Sequence, residues 1–170
     1  MNVTPKNPEN IIRAVAELDD VELDVIGDGE LHDDLRALAS ALGVADRVRF
    51  ERAVPNDELC ERLPTYDLFV VHSEFWELSK SLLEALLSGV PAVANRRRGA
   101  PVPELADGLV LLVGGTKDSY RDAIMGLVAD EDARARLGRG GRAVAETRWA
   151  VGVTEARFVE HYRRVMDGHR

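Results

Sequence analysis

Apolar positions in this 170-residue chain alternate between a helical spacing and a strand-like one. Ile11, Ile12, Val15 and Leu18 keep to one helical face. Residues 21–26 then read as a strand closed by Gly27-Asp28-Gly29. Leu31, Leu35, Leu38 and Leu42 form a second helical stripe that ends at Gly43. Residues 47–51 read as a short strand. Asn56 is placed to cap a short helix that runs to Leu63, with Pro64 as its stop. Residues 67–71 and 90–94 are apolar runs of buried-strand type, separated by a helix over 81–87. Residues 109–113 make a further strand, and Tyr120, Ile124, Leu127 and Val128 mark the helix after it. The last 40 residues read as helices, with expected breaks at 138–141 and near Trp149.

Strands alternating with helices favour a parallel sheet covered by helices on both faces, a Rossmann-like α/β domain. Ligands of such sheets bind beyond the carboxyl ends of the strands. Residues 27–29, 53–55, 72–77 and 95–99 each follow a strand and should gather along that edge. A strand would normally precede the helix of Ile11, and only five residues stand ahead of Lys6, so that strand is expected to be short or absent. Pro8 is placed for the first turn of that helix.

Composition narrows the field. Hydrophobic content is 45% and charged content 31%, in the range of a globular domain. No apolar stretch approaches the ~18 residues of a membrane-spanning helix, and the start has no apolar signal region. The default compartment is the cytoplasm. A net charge of −8 argues against bulk binding of nucleic acid. Cys60 is alone, and His32, His72, His161 and His169 are scattered, so no zinc-type ligand set is seen.

Residues 77–95 carry the most chemistry. A loop with Glu77 leads into a helix that opens at Ser79-Lys80-Ser81, carries Glu84 about two turns on and ends at Gly89. A helix N-terminus presents free N–H groups and partial positive charge, which suits a phosphate. Carboxylates beside it suit sugar hydroxyls. The combination points to a nucleotide-sugar site. Arg96-Arg97-Arg98 follows a strand on the same edge, either as a solvated loop or as a contact for an anionic group. His72 lies on that edge too, and Trp149 reads as packing.

The pieces Lys6-Asn7-Pro8-Glu9, Val25-Ile26-Gly27-Asp28-Gly29-Glu30, Asp46-Arg47-Val48-Arg49-Phe50, Asp67-Leu68-Phe69-Val70-Val71-His72-Ser73, Leu83-Glu84 through Ala94, and Pro103-Glu104 occur in one order. Together they resemble the C-terminal, donor-binding half of a GT-B glycosyltransferase, and more narrowly family 4 of the glycosyl transferases group 1. The resemblance implies that residues 1–170 are one nucleotide-sugar (donor) binding domain and that the N-terminal, acceptor-binding Rossmann-like domain is absent, to be supplied in cis or in trans. Any peripheral attachment to a membrane would then run through that domain. It further implies transfer of a sugar from a nucleotide diphosphate to an acceptor hydroxyl, independent of metal or other cofactor and with retention at the anomeric carbon. The isolated half is expected to transfer nothing by itself.

Roles follow position by position. Glu84 matches the family glutamate that accepts hydrogen bonds from ribose. Lys6 matches a lysine on the diphosphate and, with Glu77, is assigned to catalysis. Ser79, Lys80 and Ser81 are placed at the phosphates, Leu83 beside Glu84 in the donor site, Gly27 and Gly29 near the nucleotide, and Val54 at the base. The family places seven residues between its two glutamates, and the matching position before Glu84 is Trp76. Glu77 stands one position late, Glu74 is a third candidate, and Trp76 itself is placed to stack near the sugar or base. The family's glycines in this loop are replaced by Leu78, Ser79 and Lys80, which should narrow the pocket. The rival readings are a nucleotide-sugar epimerase half and a non-catalytic GT-B-like interaction domain.

Overall fold

A computed structural model describes residues 6–106 and 108–167. The short or absent strand expected ahead of Lys6 lies outside them. The described elements run α1 (Glu9–Val15), β1 (Leu23–Ile26), α2 (His32–Ala41), β2 (Val48–Glu51), α3 (Asn56–Arg62), β3 (Phe69–Val71), α4 (Lys80–Leu87), β4 (Ala92–Asn95), β5 (Leu111–Val113), α5 (Lys117–Ala129), α6 (Glu131–Trp149) and α7 (Val151–Asp167). Single 3-10 turns follow α3 at Leu63–Thr65 and precede β5 at Pro103–Leu105.

The expected alternation is present, and every strand pairing is parallel. Among the described residues the strands do not form one sheet. β1 pairs with β2, and β3, β4 and β5 pair in that order as a second group. β4, in the middle of its group, is buried along its whole length. Its side chains alternate as a pleat requires: Val93 faces a core with Ile11, Ile12, Val15, Tyr120 and Ile124, while Ala92 and Ala94 face one with Leu82, Leu86, Leu109 and Ala145. Helices α1, α2 and α5 thus cover one face, and α4 and α6 the other.

Three local expectations are corrected. Asn56 is the first residue of α3, not its cap. Pro55 holds the cap position with extended backbone, and the Asn56 amide turns to the Cys60 sulfur, 3.6 Å away. Pro8 is the cap residue of α1, and its carbonyl accepts from Ile11 and Ile12 N–H. Residues 138–141 do not break a helix; α6 runs through them to Trp149. Gly138 and Gly141 are buried where α6 crosses the α4–β4 connection and the start of β5. A Cβ on Gly138 would stand 2.3 Å from the Gly89 carbonyl oxygen, and one on Gly141 would stand 2.9 Å from the Leu109 oxygen. The expected break at Trp149 is found: Ala150 leaves helical backbone at ψ 148°. Trp149 packs on the α4–β4 core, as expected.

Candidate functional site

Parallel strands put all their carboxyl ends on one edge, and the loops after β1, β2, β3 and β4 meet there. Asp28 after β1 accepts from Arg52 (3.1 Å) and from Ala53 N–H (3.3 Å) after β2. Arg52 holds the Asp28 carboxyl below its ordinary range, with the Ala53 N–H adding to the effect. Ser73 after β3 and Asn95 at the end of β4 exchange two hydrogen bonds: Ser73 N–H donates to Asn95 Oδ1 (2.8 Å), and Asn95 Nδ2 donates to the Ser73 carbonyl (3.0 Å). Arg97 turns inward beneath the loop over 72–79. Its guanidinium donates to the carbonyls of Phe75 (2.8 Å) and Asn95 (2.7 Å) and to Asn95 Oδ1 (2.8 Å).

Arg97 is only 8% exposed and its bonds go to neutral oxygens. Burial lowers its pKa from the ordinary value, with Glu74 opposing. This side chain is a strut that fixes the loop, which corrects the reading of residues 96–98 as solvated or anion-facing throughout. Arg96 and Arg98 are exposed.

His72 joins the two sides of the site. Its Nδ1 lies 3.0 Å from the Tyr120 hydroxyl, and its Nε2 lies 3.2 Å from Glu74 Oε1. A neutral ring can donate to the carboxylate at Nε2, with Nδ1 facing the Tyr120 hydroxyl, whose single proton also has the Val71 carbonyl within reach at 3.2 Å. Tyr120 is fully buried, and burial pushes its phenol well above the usual range. Gly115, at φ 81°, lets the chain pass so close that a side chain there would meet Asn95 Cβ and His72 Cε1 at 3.2 Å.

Burial holds the His72 imidazole below its ordinary value of 6.5 although Glu74 pulls the other way. Below that pH the unfolded chain takes up a proton at this position before the folded chain does. Stability is therefore expected to fall as pH drops through the ordinary value of 6.5, and to stop responding to His72 below its folded-state pKa. His72→Gln should flatten the urea midpoint across this window. Equal slopes in both proteins would show that the ring is not held neutral.

Helix α4 opens on this edge. Ser79 is its cap, with extended backbone (φ −69°, ψ 148°), and its Oγ accepts from Leu82 N–H at 3.4 Å. Leu83 N–H donates to the Ser79 carbonyl. The N–H groups of Lys80 and Ser81 have no partner among the described residues, as the first turn of a helix leaves them. Glu84 has a side chain only 13% exposed, while Lys80, its partner at 3.5 Å, is 75% exposed. Such a pair contributes about 0.3–0.5 kcal/mol, so Lys80 can leave Glu84 at little cost.

The structure brings some of the expected site residues to one cavity. Lys6, Gly27, Asp28, His72 and Ser81 line part of a space of about 430 Å³ that runs alongside β1 and β3 and reaches their carboxyl ends. Gly27 takes φ 143° and faces open space, as does Gly29. Gly29, Val54, Glu77, Ser79, Lys80, Leu83 and Glu84 do not line that cavity. Of these, Ser79, Lys80, Leu83 and Glu84 share α4 and its cap with Ser81. Val54 is half-buried in the loop after β2. Leu83 packs into the α4–β4 core. Glu77 and Trp76 are exposed; Trp76 Nε1 donates to the Ala100 carbonyl (3.1 Å) and ties this loop to the one after β4. Glu74, half-buried beside His72, is the carboxylate of the loop that points inward. Ser73, Asn95, Gly115 and Tyr120 build the edge without having been singled out as site residues, and Arg97 does so in a role other than the solvated or anion-facing one expected of it. The signal available for them was slight: a polar Asn closing a wholly apolar strand, and one Arg in a run of three.

Among the described residues no group of three or more His, Cys, Asp or Glu could hold a metal ion, and no helix is long and apolar enough to cross a membrane.

Known proteins share both this sequence and this geometry. A lipopolysaccharide core biosynthesis glycosyltransferase, LpsE, of Rhizobium meliloti is 36% identical over 141 residues, which cover 82% of this chain and 41% of that protein. A GDP-mannose-dependent alpha-(1-6)-phosphatidylinositol monomannoside mannosyltransferase of Mycolicibacterium smegmatis is 34% identical over 170 residues, covering 93% of this chain and 44% of that one. The crystal structure of Anabaena Alr3699/HepE in complex with UDP and glucose superposes with a TM-score of 0.84 at 22% identity, over 96% of this chain and 46% of that one. Sucrose-phosphate synthase from Thermosynechococcus elongatus gives 0.85 at 20%, over 98% of this chain and 44% of that one. These superpositions bear out the expected GT-B fold class. The chain spans less than half the length of each of these proteins. The family model described as "Glycosyl transferases group 1" matches residues 2–144, so the chain belongs to the glycosyl transferases group 1 family.

Proposed function

We propose that this domain binds the nucleotide-diphosphate sugar in a glycosyl transfer completed by a second, acceptor-binding domain. The observation that carries the reading is the sheltered Glu84 carboxylate one turn behind the unpartnered N–H groups of Lys80 and Ser81, on the ligand edge of a parallel sheet. In this reading Glu84 accepts from the ribose hydroxyls, and the opening of α4 receives the diphosphate. Lys80 moves from Glu84 to the phosphates. Lys6, on the cavity that Ser81 also lines, stabilises the negative charge that grows on the departing diphosphate. Gly27 and Gly29 leave room for the nucleoside, and Val54 meets the base. Glu77, exposed at the loop entrance, contacts the sugar, with Glu74 held back by His72.

Charge on the leaving group is met by lysine and helix N–H groups, which leaves no need for a divalent cation; retention is proposed from the likeness to family 4 alone. The named relatives support the donor class, since one is a GDP-mannose-dependent transferase and one solved structure holds UDP. Calorimetric titration with UDP, GDP and ADP, each in excess EDTA, tests this. One nucleotide should bind, with the same affinity in EDTA as in Mg²⁺. Binding of none, or binding only with Mg²⁺, would overturn the reading.

A further inference from the structure

Arg96, Arg97 and Arg98 put three cations in a row in a chain of net charge −8. With Arg97 turned inward, Arg96 and Arg98 stand exposed on either side of it. Neither of these two guanidinium groups has a carboxylate within ion-pair distance among the described residues. Two other cations of the same edge are matched: Arg52 lies 3.1 Å from Asp28, and Lys80 lies 3.5 Å from Glu84. The nearby Glu74 carboxylate is engaged by His72 Nε2 at 3.2 Å. Arg97 itself is buried among neutral oxygens and adds its charge to that of its neighbours. The loop after β4 is therefore a concentration of positive charge that the fold leaves uncompensated.

The backbone that presents the two exposed arginines is pinned. Arg96 N–H donates to the Val113 carbonyl (2.8 Å), and the Arg96 carbonyl accepts from Asn95 Nδ2 (3.3 Å). Past Arg98, the Ala100 carbonyl accepts from Trp76 Nε1. Little backbone freedom remains to be lost when a ligand arrives. The same bond seats Trp76 against the arginine loop with 56% of its surface exposed. An indole whose N–H is already spent on the protein offers its open face to an apolar surface, such as the C–H side of a sugar ring. Arg96, Arg98 and Trp76 do not line the cavity alongside β1 and β3 that Lys6 and Ser81 share. They adjoin the ligand edge all the same: burial lowers the His72 pKa first of all, and the charges of Arg97 and Arg98 add to that effect.

We infer that Arg96 and Arg98 form a second anion site, for a phosphate monoester carried on a sugar acceptor, with Trp76 against the sugar ring. Calling that ligand the acceptor rests on the transferase reading proposed above; the site itself does not. Two guanidinium forks match the nearly two charges and three free oxygens of a phosphate monoester, whereas a carboxylate would occupy only one of them. In the proposed reading the donor diphosphate is met by the opening of α4 and by Lys6, so an anion at Arg96 and Arg98 belongs to the other substrate.

The test is an NMR titration of the nitrogen-labelled chain with glucose 6-phosphate, inorganic phosphate and glucose at constant ionic strength. Glucose 6-phosphate should shift the amides of residues 96–100 and the Trp76 indole, and should bind several-fold more tightly than inorganic phosphate. Glucose should shift nothing at the same concentrations. The double variant Arg96→Gln/Arg98→Gln should bind glucose 6-phosphate about 10-fold or more weakly, with Tm unchanged because both side chains are exposed. Saturating UDP, GDP or ADP should leave the glucose 6-phosphate shifts in place. The inference is overturned if the shifts fall only on Lys80 and Ser81, or if the glutamine pair binds like the parent chain. It is equally overturned if glucose or inorganic phosphate binds as well as glucose 6-phosphate, or if a nucleotide displaces it. The sugar phosphate is titrated on the free chain, so failure of every nucleotide to bind would count against the donor site alone.

Discussion

Replacing Glu84 by Ala should weaken binding of the preferred nucleoside diphosphate by about 100-fold or more. A carboxylate that accepts two hydroxyl donors makes charge-assisted bonds, each worth about 1.5–3 kcal/mol when one partner is removed. Part of that is offset because the substitution also frees Lys80 for the phosphates. Glu84→Gln keeps the shape but loses the charge and should fall between. The Lys80–Glu84 pair is exposed on the lysine side, so the fold should lose only a few tenths of a kcal/mol. Circular dichroism and Tm would confirm that any affinity loss is local. Glu77→Ala is the contrasting variant: it should leave nucleoside diphosphate binding nearly unchanged and weaken only the nucleotide sugar. An unchanged affinity in Glu84→Ala would remove the central residue from the proposed site.

The second large effect concerns stability. Gly138→Ala should destabilise the domain by about 2 kcal/mol or more, a fall in Tm of roughly 5–10 °C for a chain of this size. The added methyl would sit 2.3 Å from the Gly89 oxygen and 3.3 Å from Pro91 Cδ, so α6 must move off the α4–β4 connection. Helix propensity alone predicts the opposite sign, because Ala is favoured over Gly by about 1 kcal/mol inside a helix. Gly140, on the same helix and facing open space, isolates that contribution: Gly140→Ala should stabilise by up to about 1 kcal/mol. Urea unfolding of both variants gives the comparison. If Gly138→Ala were as stable as Gly140→Ala, the close packing of α6 would be wrong.

The same glycines show where the one-dimensional pattern misleads. Gly138, Gly140 and Gly141 read as a helix break because glycine is a poor helix former. Two of them are instead the price of close approach between a helix and another backbone, and that reason lives on residues 89 and 109, distant in sequence. Asn56 is a similar case: its type suits a cap, yet Pro55 already held the extended backbone that a cap requires.

Elements and edge were legible because they follow from short-range rules. The period of apolar positions gave the helices and strands, and Gly43 and Gly89, at φ 72° and 78°, closed the helices they were expected to close. Parallel alternation then fixed which loops share an edge. Glu84 could be read as a candidate because it is the lone carboxylate amid apolar helix positions, and such a side chain is sheltered wherever the helix packs.

What determines the site beyond that is long-range. The reach of Arg97 to Phe75, the Ser73–Asn95 exchange and the Tyr120–His72 contact link residues 22 to 48 positions apart, and no local pattern records such pairings. The division of the strands into two groups is likewise invisible in the periodicity, because a strand has the same pattern whether one or both of its edges are bonded. The sequence by itself determined the kind of elements, their order and the family; the tertiary structure decided which polar groups are buried together and how the described strands pair, since those depend on what each group meets across the fold.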